Sequence, residues 1–393
     1  MHRRFIKRVP VLSHRGLQGA VAGARHHVSA QSRGAGSLAR MQLESHDRVD
    51  SLCGEWDELA DRVNASPWLR PGWIGAWERA FGRGSLEVLS LNRDGRLVGV
   101  LPLELRFGAL RSTSNVHTPA FSMLVGDREA ARELGSSLFA RGGRQVTLAF
   151  LLSDDPALDT CRAAARAAHY RLIDRTIERS PYIATDGDWA AYERERDSRF
   201  LRELRRRRRR LGEQGRLALE VADGRDRLDE LLDEGFRVEA AAWKGKRGTA
   251  IAADPATRRF YGDIAGWAAE RGWLRLAFLR LDERPLAFDY CLEEHGVHYL
   301  LKTGYDPSYG AFAPGMLIRR EMIERAFSNG LARYEFLGAD ESWKLRWTGM
   351  LRERRLLQAF APSLPGVIDC LRGRAFAFAR PLAKRALVAR RGT

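Results

Sequence analysis

From residue 41 onward the apolar positions change period repeatedly, and each change marks an element. "QLESH" at 42–46 reads as a strand, followed by helical spacing over 48–63 and, after Pro71, over 72–81. "LEVLSLNRDGRLVGVLPLEL" is two alternating runs joined by Asp94-Gly95, a pair that suits a tight hairpin because both residues tolerate positive φ. Strand continues to about 125. A helix over 128–141, a strand over 145–151, a helix over 156–168 and a strand over 170–178 complete the set.

The same order returns from about 215. "RLALEVA" is a strand, and 226–242 and 255–271 are helices. "WLRLAFLRLDERPLAFDYCLEE" is a second hairpin, turning at Asp282-Glu283-Arg284, and "VHYLLKTGY" is another strand. A helix over 314–329, a strand over 332–337, a short helix near 341–346 and a strand over 350–361 follow. The two hairpin turns lie 282 − 94 = 188 residues apart, so the repeat is one of architecture and not of sequence. The order predicts an α/β chain built on an α+β mixed sheet with helices on both faces.

Residues 1–40 carry no clear period. They hold eight Arg or Lys and no Asp or Glu, so they supply +8 of the formal +16. They read as a disordered tail or a misassigned start, and the fold is expected to begin near 41. The remaining +8 still favours anionic partners. No apolar run approaches the roughly 18–20 residues that span a bilayer. Cys53, Cys161, Cys291 and Cys370 are far apart, which points to a reducing, cytoplasmic setting without a disulfide framework or structural zinc. His295 and His298 flank a predicted turn and lack a third ligand, so no metal site is expected. No nucleic-acid-binding motif is recognisable, and DNA is not an expected partner. Only six residues are Lys, and four of them, Lys244, Lys246, Lys302 and Lys344, fall between 244 and 344. That bias singles them out, because lysine offers a compact, titratable ammonium that arginine does not.

Two further stretches carry candidate chemistry. In "YGAFAPGMLIRREM" a helix starts at Pro314 with no Ser, Thr or Asp to cap it. The first turn of a helix leaves about four N–H donors and a partial positive charge, so an anion fits there. In "LRELRRRRRRLG", helical spacing puts Phe200, Leu201, Leu204 and Leu211 on one stripe and Arg202, Arg205, Arg206, Arg209 and Arg210 opposite. Five guanidinium groups so close repel one another unless anions share the face.

The doubled order, with "RELRRRRRRLGEQGRL", "AAWKGKRG", "RPLAFDY", "LLKTGYDPSYGAFAPGMLI" and "YEFLGADESWKLRW", resembles tandem GNAT acyltransferase domains. The second half is similar to the CelD/BcsL-type acetyltransferases of bacterial polysaccharide loci, a branch related to the FemAB aminoacyl transferases. The first half resembles the family only in its order of elements and in "SPWLRPGWIGAWERAFG". The implied domains are a degenerate GNAT-like domain over 41–187 and an acyltransferase domain over 188–362. A basic amphipathic helix over 363–393 follows.

The resemblance implies acetyl-CoA or another acyl-CoA as co-substrate. Gly310, Ala313, Pro314, Gly315, Met316 and Leu317 would hold its pyrophosphate, chiefly through backbone N–H groups. It implies catalytic roles for Tyr305, as donor to the leaving thiolate, and for Asp306, as a base or as a brace for its loop. Lys344 would stabilise developing charge, with Asp340 and Glu341 beside it; relatives carry Tyr-Lys where Trp343-Lys344 stands here. Arg205, Arg209, Trp243, Lys244 and Lys302 are the candidate acceptor contacts. The implied reaction is acyl transfer to an amine or hydroxyl of an anionic small-molecule, glycan or lipid-linked acceptor, in polysaccharide or envelope synthesis. The first half lacks a Pro-Gly helix start, and Asp127 there is an ordinary cap that would repel phosphate, which implies a structural or acceptor-binding role. Two rival readings are an aminoacyl-tRNA-dependent Fem-type transferase and a non-catalytic accessory protein. The accessory protein would be held at the membrane by the basic tail "CLRGRAFAFARPLAKRALVARR".

Overall fold

The computed structural model describes residues 41–141, 143–241 and 250–375. Tail residues 1–40, Trp243, Lys244 and the end of the basic C-terminal segment lie outside that set.

In the first half a strand β1 (Met41–His46) leads to helices α1 (Cys53–Arg62) and α2 (Pro71–Phe81). Strands β2 (Ser85–Arg93), β3 (Arg96–Arg106), β4 (Ala109–Ser112) and β5 (Leu124–Val125) form the meander. Then come α3 (Arg128–Ala140), β6 (Gln145–Leu152), α4 (Pro156–Ala167) and β7 (Arg171–Ala184). Two helices, α5 (Trp189–Arg194) and the arginine-rich α6 (Ser198–Gly212), open the second half. It continues with β8 (Leu217–Ala222), α7 (Leu228–Ala241), α8 (Pro255–Glu270), β9 (Leu274–Leu281), β10 (Arg284–Glu294) and β11 (Val297–Tyr305). Helix α9 (Pro314–Ser328), β12 (Arg333–Glu335), β13 (Leu351–Phe360) and a helix α10 over 364–375 end the described chain.

The sheet is mixed and continuous, in the order β1-β2-β3-β4-β6-β13-β7-β12-β11-β10-β9-β8, with β5 paired to β3. Its middle shows a strand exchange. β13 follows the second half in sequence, yet it lies antiparallel between β6 and β7 of the first. β7 pairs with β13 as far as Pro181, and its last residues, Tyr182–Ala184, pair with β12. The sheet therefore joins the halves through hydrogen bonds as well as through packing.

Both hairpin turns fall where the sequence places them, with positive φ at Asp94, Gly95 and Asp282. The helix expected near 341–346 is absent; residues 342–347 form successive turns. Lys344 accounts for this, because its ammonium folds back onto the carbonyls of Leu337 (2.7 Å) and Ala339 (3.0 Å).

One hydrophobic cluster spans the halves. Trp73 and Phe81 of α2 meet Phe260 of α8, with ring centroids 5.3 and 5.2 Å apart, and Trp68 meets Tyr299 of β11 at 4.9 Å. A second cluster holds α3 and α4 against the first meander, and a third packs α6 and α9 against the second. The stripe expected on α6 is buried: Phe200, Leu201, Leu204 and Leu211 all face that core. Among the described residues no helix is long and apolar enough to cross a membrane.

Candidate active site

β11 and β12 are parallel, but they pair only over Val297–Tyr299 and Arg333–Glu335. Past that point the second chain turns away at Leu337 and Gly338, both at positive φ (53° and 59°), while β11 runs on to Tyr305. The strands splay into a V, and a cavity of about 510 Å³ fills the opening. Beyond Tyr299 this edge of β11 no longer pairs with β12 and faces the cavity, the place from which backbone donors could serve an oxyanion.

The start of α9 forms one wall. Its N-cap residue Ala313 is left-handed (φ 52°) and gives no side-chain cap. Pro314 has no N–H. The amides of Met316 and Leu317 both donate to the Ala313 carbonyl, at 2.9 and 3.1 Å. Among the described residues the Gly315 N–H of that turn has no acceptor. Gly310, Ala313, Gly315 and Met316 line the cavity; Pro314 and Leu317 do not, and Leu317 points into the core. Of the pyrophosphate set expected from sequence, Pro314 and Leu317 are therefore off the lining, and the amides of both Met316 and Leu317 are engaged by Ala313, which leaves Gly315 as the backbone donor of this turn. A Cβ on Gly315 would stand 3.2 Å from Cδ1 of Tyr305, which fixes how near the ring and the helix start come.

The other expected residues divide. Tyr305, Lys302 and Lys344 line the cavity. Lys302 sits over the Tyr261 ring at 5.1 Å. Lys344 is buried and adds a 3.2 Å pair with Glu341 to its two carbonyl contacts, so it shapes this wall as well as charging it. Asp306 is not on the cavity. It caps the 3-10 turn Pro307–Phe312, accepts from the Ser308 amide and hydroxyl (2.9 and 2.6 Å), and pairs with Arg284 at 2.7 Å. Burial pushes its pKa up, but those hydrogen bonds and the Arg284 charge outweigh burial and hold it below the usual range. These contacts tie Asp306 to the loop that follows β11. Asp340 also lies off the cavity, paired with Arg179 at 2.5 Å.

Arg205 and Arg209 do not reach the cavity either. The anions that the crowded face requires are the protein's own. Arg205 and Arg320 share Glu193 (3.0 and 2.8 Å), Arg206 and Arg207 share Glu203, and Arg208 meets Glu321 at 3.1 Å. Arg209 is held more loosely than these, 75% exposed and 3.9 Å from Glu213.

Several cavity residues carry no signal in the sequence. Glu239 of α7 is fully buried and accepts from the Ile251 amide at 3.0 Å. It reaches the cavity because Gly304 lets the helix touch β11; a Cβ there would lie 2.3 Å from Cα of Glu239. From the first half, the loop carrying Val116, His117, Thr118 and Pro119 enters the same cavity. Arg354 of β13 holds that loop by donating to the Pro119 carbonyl at 2.6 Å, while pairing with Glu178. Burial pulls the Arg354 pKa down to about 10. Their positions depend on the strand exchange and on long-range packing, which no local pattern encodes. Among the described residues no cluster of three or more His, Cys, Asp or Glu is placed to hold a metal.

Similarity to known proteins bears on what this arrangement is. Residues 198–345 match the family model described as an acetyltransferase (GNAT) domain. The fold is similar to FemX, at 12% identity and a TM-score of 0.53, covering 80% of this chain and 96% of that one. It is also similar to the C-terminal domain of a putative lysylphosphatidylglycerol synthetase from Agrobacterium fabrum, at 13% identity and a TM-score of 0.52, covering 81% and 94%. No curated protein matches the sequence. Residues 198–345 are thus a GNAT-type acetyltransferase domain, and the chain has a GNAT/FemAB-related fold.

Proposed function

We propose that the protein moves an acetyl or longer acyl group from acyl-coenzyme A to an amine, or a hydroxyl, of an anionic acceptor. The observation that carries the reading is the uncapped start of α9 opening onto the cavity, with the Gly315 amide unengaged and Tyr305 beside it. A phosphate there would meet an N–H donor and the positive end of the helix. Lys302 and Lys344 on the cavity lining offer ammonium groups to an anionic acceptor.

A glycan or lipid-linked envelope precursor, met at the cytoplasmic face, is the acceptor class the reading favours. Support for a lipid comes from α10, which leaves Leu364, Ile368 and Leu371 exposed at helical spacing beside Arg372 and Arg374. The lysylphosphatidylglycerol synthetase named among the neighbours fits that idea. Transfer of an aminoacyl group from tRNA is the second reading, favoured by the arginines of α6. Their pairing with Glu193, Glu203 and Glu321 weakens it.

Calorimetry with coenzyme A, with pantetheine and with tRNA separates the readings. Coenzyme A is expected to bind more tightly than pantetheine, which lacks the pyrophosphate. Salt-sensitive tRNA binding without coenzyme A binding would select the second reading.

A further inference from the structure

The loop that the first half sends into the cavity ends a chain of hydrogen bonds whose proton positions can be assigned. The Thr257 hydroxyl donates to Asp254 Oδ2 at 2.6 Å, so its oxygen can only accept from His117 Nε2, 3.4 Å away. His117 therefore carries its proton on Nε2. Its Nδ1 is then a lone pair, 3.3 Å from the hydroxyl of Tyr261, which must donate to it. Tyr261 and His117 both line the cavity. The imidazole stacks on Phe81, with centroids 5.2 Å apart and 11° between planes, which fixes the ring. The arrangement runs cavity, phenol, imidazole, hydroxyl, exposed carboxylate, so an orienting group stands behind a base, as in nucleophile-activating triads.

We propose that His117, reached through Tyr261, takes up the acceptor's proton during acyl transfer. The proposal rests on the acyl-transfer reading above. The acceptor nitrogen attacks the thioester carbonyl and becomes cationic in the tetrahedral adduct. It gives a proton to Tyr261 Oη as the tyrosine's own proton passes to His117 Nδ1. The C–S bond then breaks, and the imidazolium returns one proton through Tyr261 Oη to the departing thiolate. One N–C bond forms, one C–S bond breaks, the amine proton ends on the thiol, and Tyr261, His117, Thr257 and Asp254 end as they began. Burial, with Lys302 adding repulsion and Asp254 opposing it, keeps the resting imidazole neutral by lowering its pKa to about 4. Burial likewise pushes the Tyr261 phenol well up, so it stays protonated until a proton is exchanged.

His117→Gln separates base from brace. The amide can accept from Tyr261 and donate to Thr257, but it cannot take up a proton. Hydroxylamine is the acceptor probe, because it is small and largely neutral at pH 7, and thiol release from acetyl-CoA is the readout. His117→Gln and Tyr261→Phe should each lower kcat by about 100-fold or more. Acetyl-CoA affinity by calorimetry should be unchanged. Nitrogen-15 NMR of the wild type should show His117 neutral with the proton on Nε2 from pH 6 to 8. A proton on Nδ1, an imidazolium at pH 7, or wild-type turnover by His117→Gln overturns the proposal while leaving acyl transfer intact. So does a wild type that binds acetyl-CoA but does not acylate hydroxylamine. A wild type that fails to bind acetyl-CoA overturns the acyl-CoA reading itself, and the proposal with it.

Discussion

The two halves carry the same run of elements to opposite ends. In the first, β4 and β6 pair in parallel over Ala109–Arg111 and Gln145–Thr147, and the space beyond is closed by the chain itself. The Ala149 amide donates to Ser112 Oγ at 3.0 Å, and Phe121 bridges to Leu151 with its amide on the Phe150 carbonyl. In the second, β11 and β12 pair just as briefly, and the space beyond stays open as the cavity. The helix starts differ in the same sense. Asp127 caps α3, accepting from the Ala130 amide at 2.9 Å and pairing with Arg93. Ala313 caps nothing. A carboxylate at one helix start meets the need that an incoming phosphate would meet at the other. The segment that fills the first V has a second use, since the same stretch carries His117 into the open one.

The sharpest way to break this comparison is to block the open start. Gly315→Val puts a branched Cβ where the free amide faces the cavity, and it crowds Tyr305 as well. Loss of a charge-assisted hydrogen bond worth about 1.5–3 kcal/mol weakens coenzyme A by at least about tenfold. Gly315→Ala, with less bulk against the ring, should fall between. Pantetheine binding should change little. Equal coenzyme A affinity in both variants and wild type would remove α9 from the site.

The mirror experiment is smaller and should touch only stability. Asp127→Ala removes a working cap and is expected to cost about 1 kcal/mol in denaturant titration, with coenzyme A affinity unchanged. The hydrogen bond from Arg93, then that from the Ala130 amide, lowers the Asp127 pKa to about 2. The unfolded value lies near 4, so the folded state is favoured by the ionised form. Its contribution is complete above about pH 4 and is lost as pH falls towards 2. Asp127→Asn should flatten that part of the stability profile. An affinity change in either variant would mean that the closed half communicates with the site.

What the sequence made legible follows the range of the forces involved. Hairpins at Asp94-Gly95 and Asp282, the buried stripe of α6 and the uncapped start of α9 are all encoded within a few neighbouring residues. The placement of β13 beside β6 is not, because an alternating strand pattern does not name its partner. Arg354, Glu239 and His117 were therefore invisible as site residues, and Asp306 was ambiguous until its contacts with Ser308 and Arg284 were known. The turns at 342–347 escaped for a related reason. Local spacing there favours a helix, but a buried ammonium bonded to two earlier carbonyls overrides it.

The smallest expected effect lies on α6, where sequence and structure disagree most about purpose. Arg205 shares Glu193 with Arg320, so Arg205→Gln leaves that carboxylate paired. Partly exposed ion pairs of this kind are worth about 0–1 kcal/mol, and the folding free energy should move within that range. Arg209 reaches only a 3.9 Å contact with Glu213 and is mostly exposed, so Arg209→Gln should leave stability unchanged. If the face also guides an anionic acceptor, both variants should slow its association at low salt and match wild type at high salt, because screening over about 10 Å at 0.1 M erases steering. An effect of Arg209→Gln that persists at high salt would mean direct contact. A large stability loss in Arg205→Gln would mean that Glu193 depends on both of its arginines, and that α6 is a clamp joining α5 to α9.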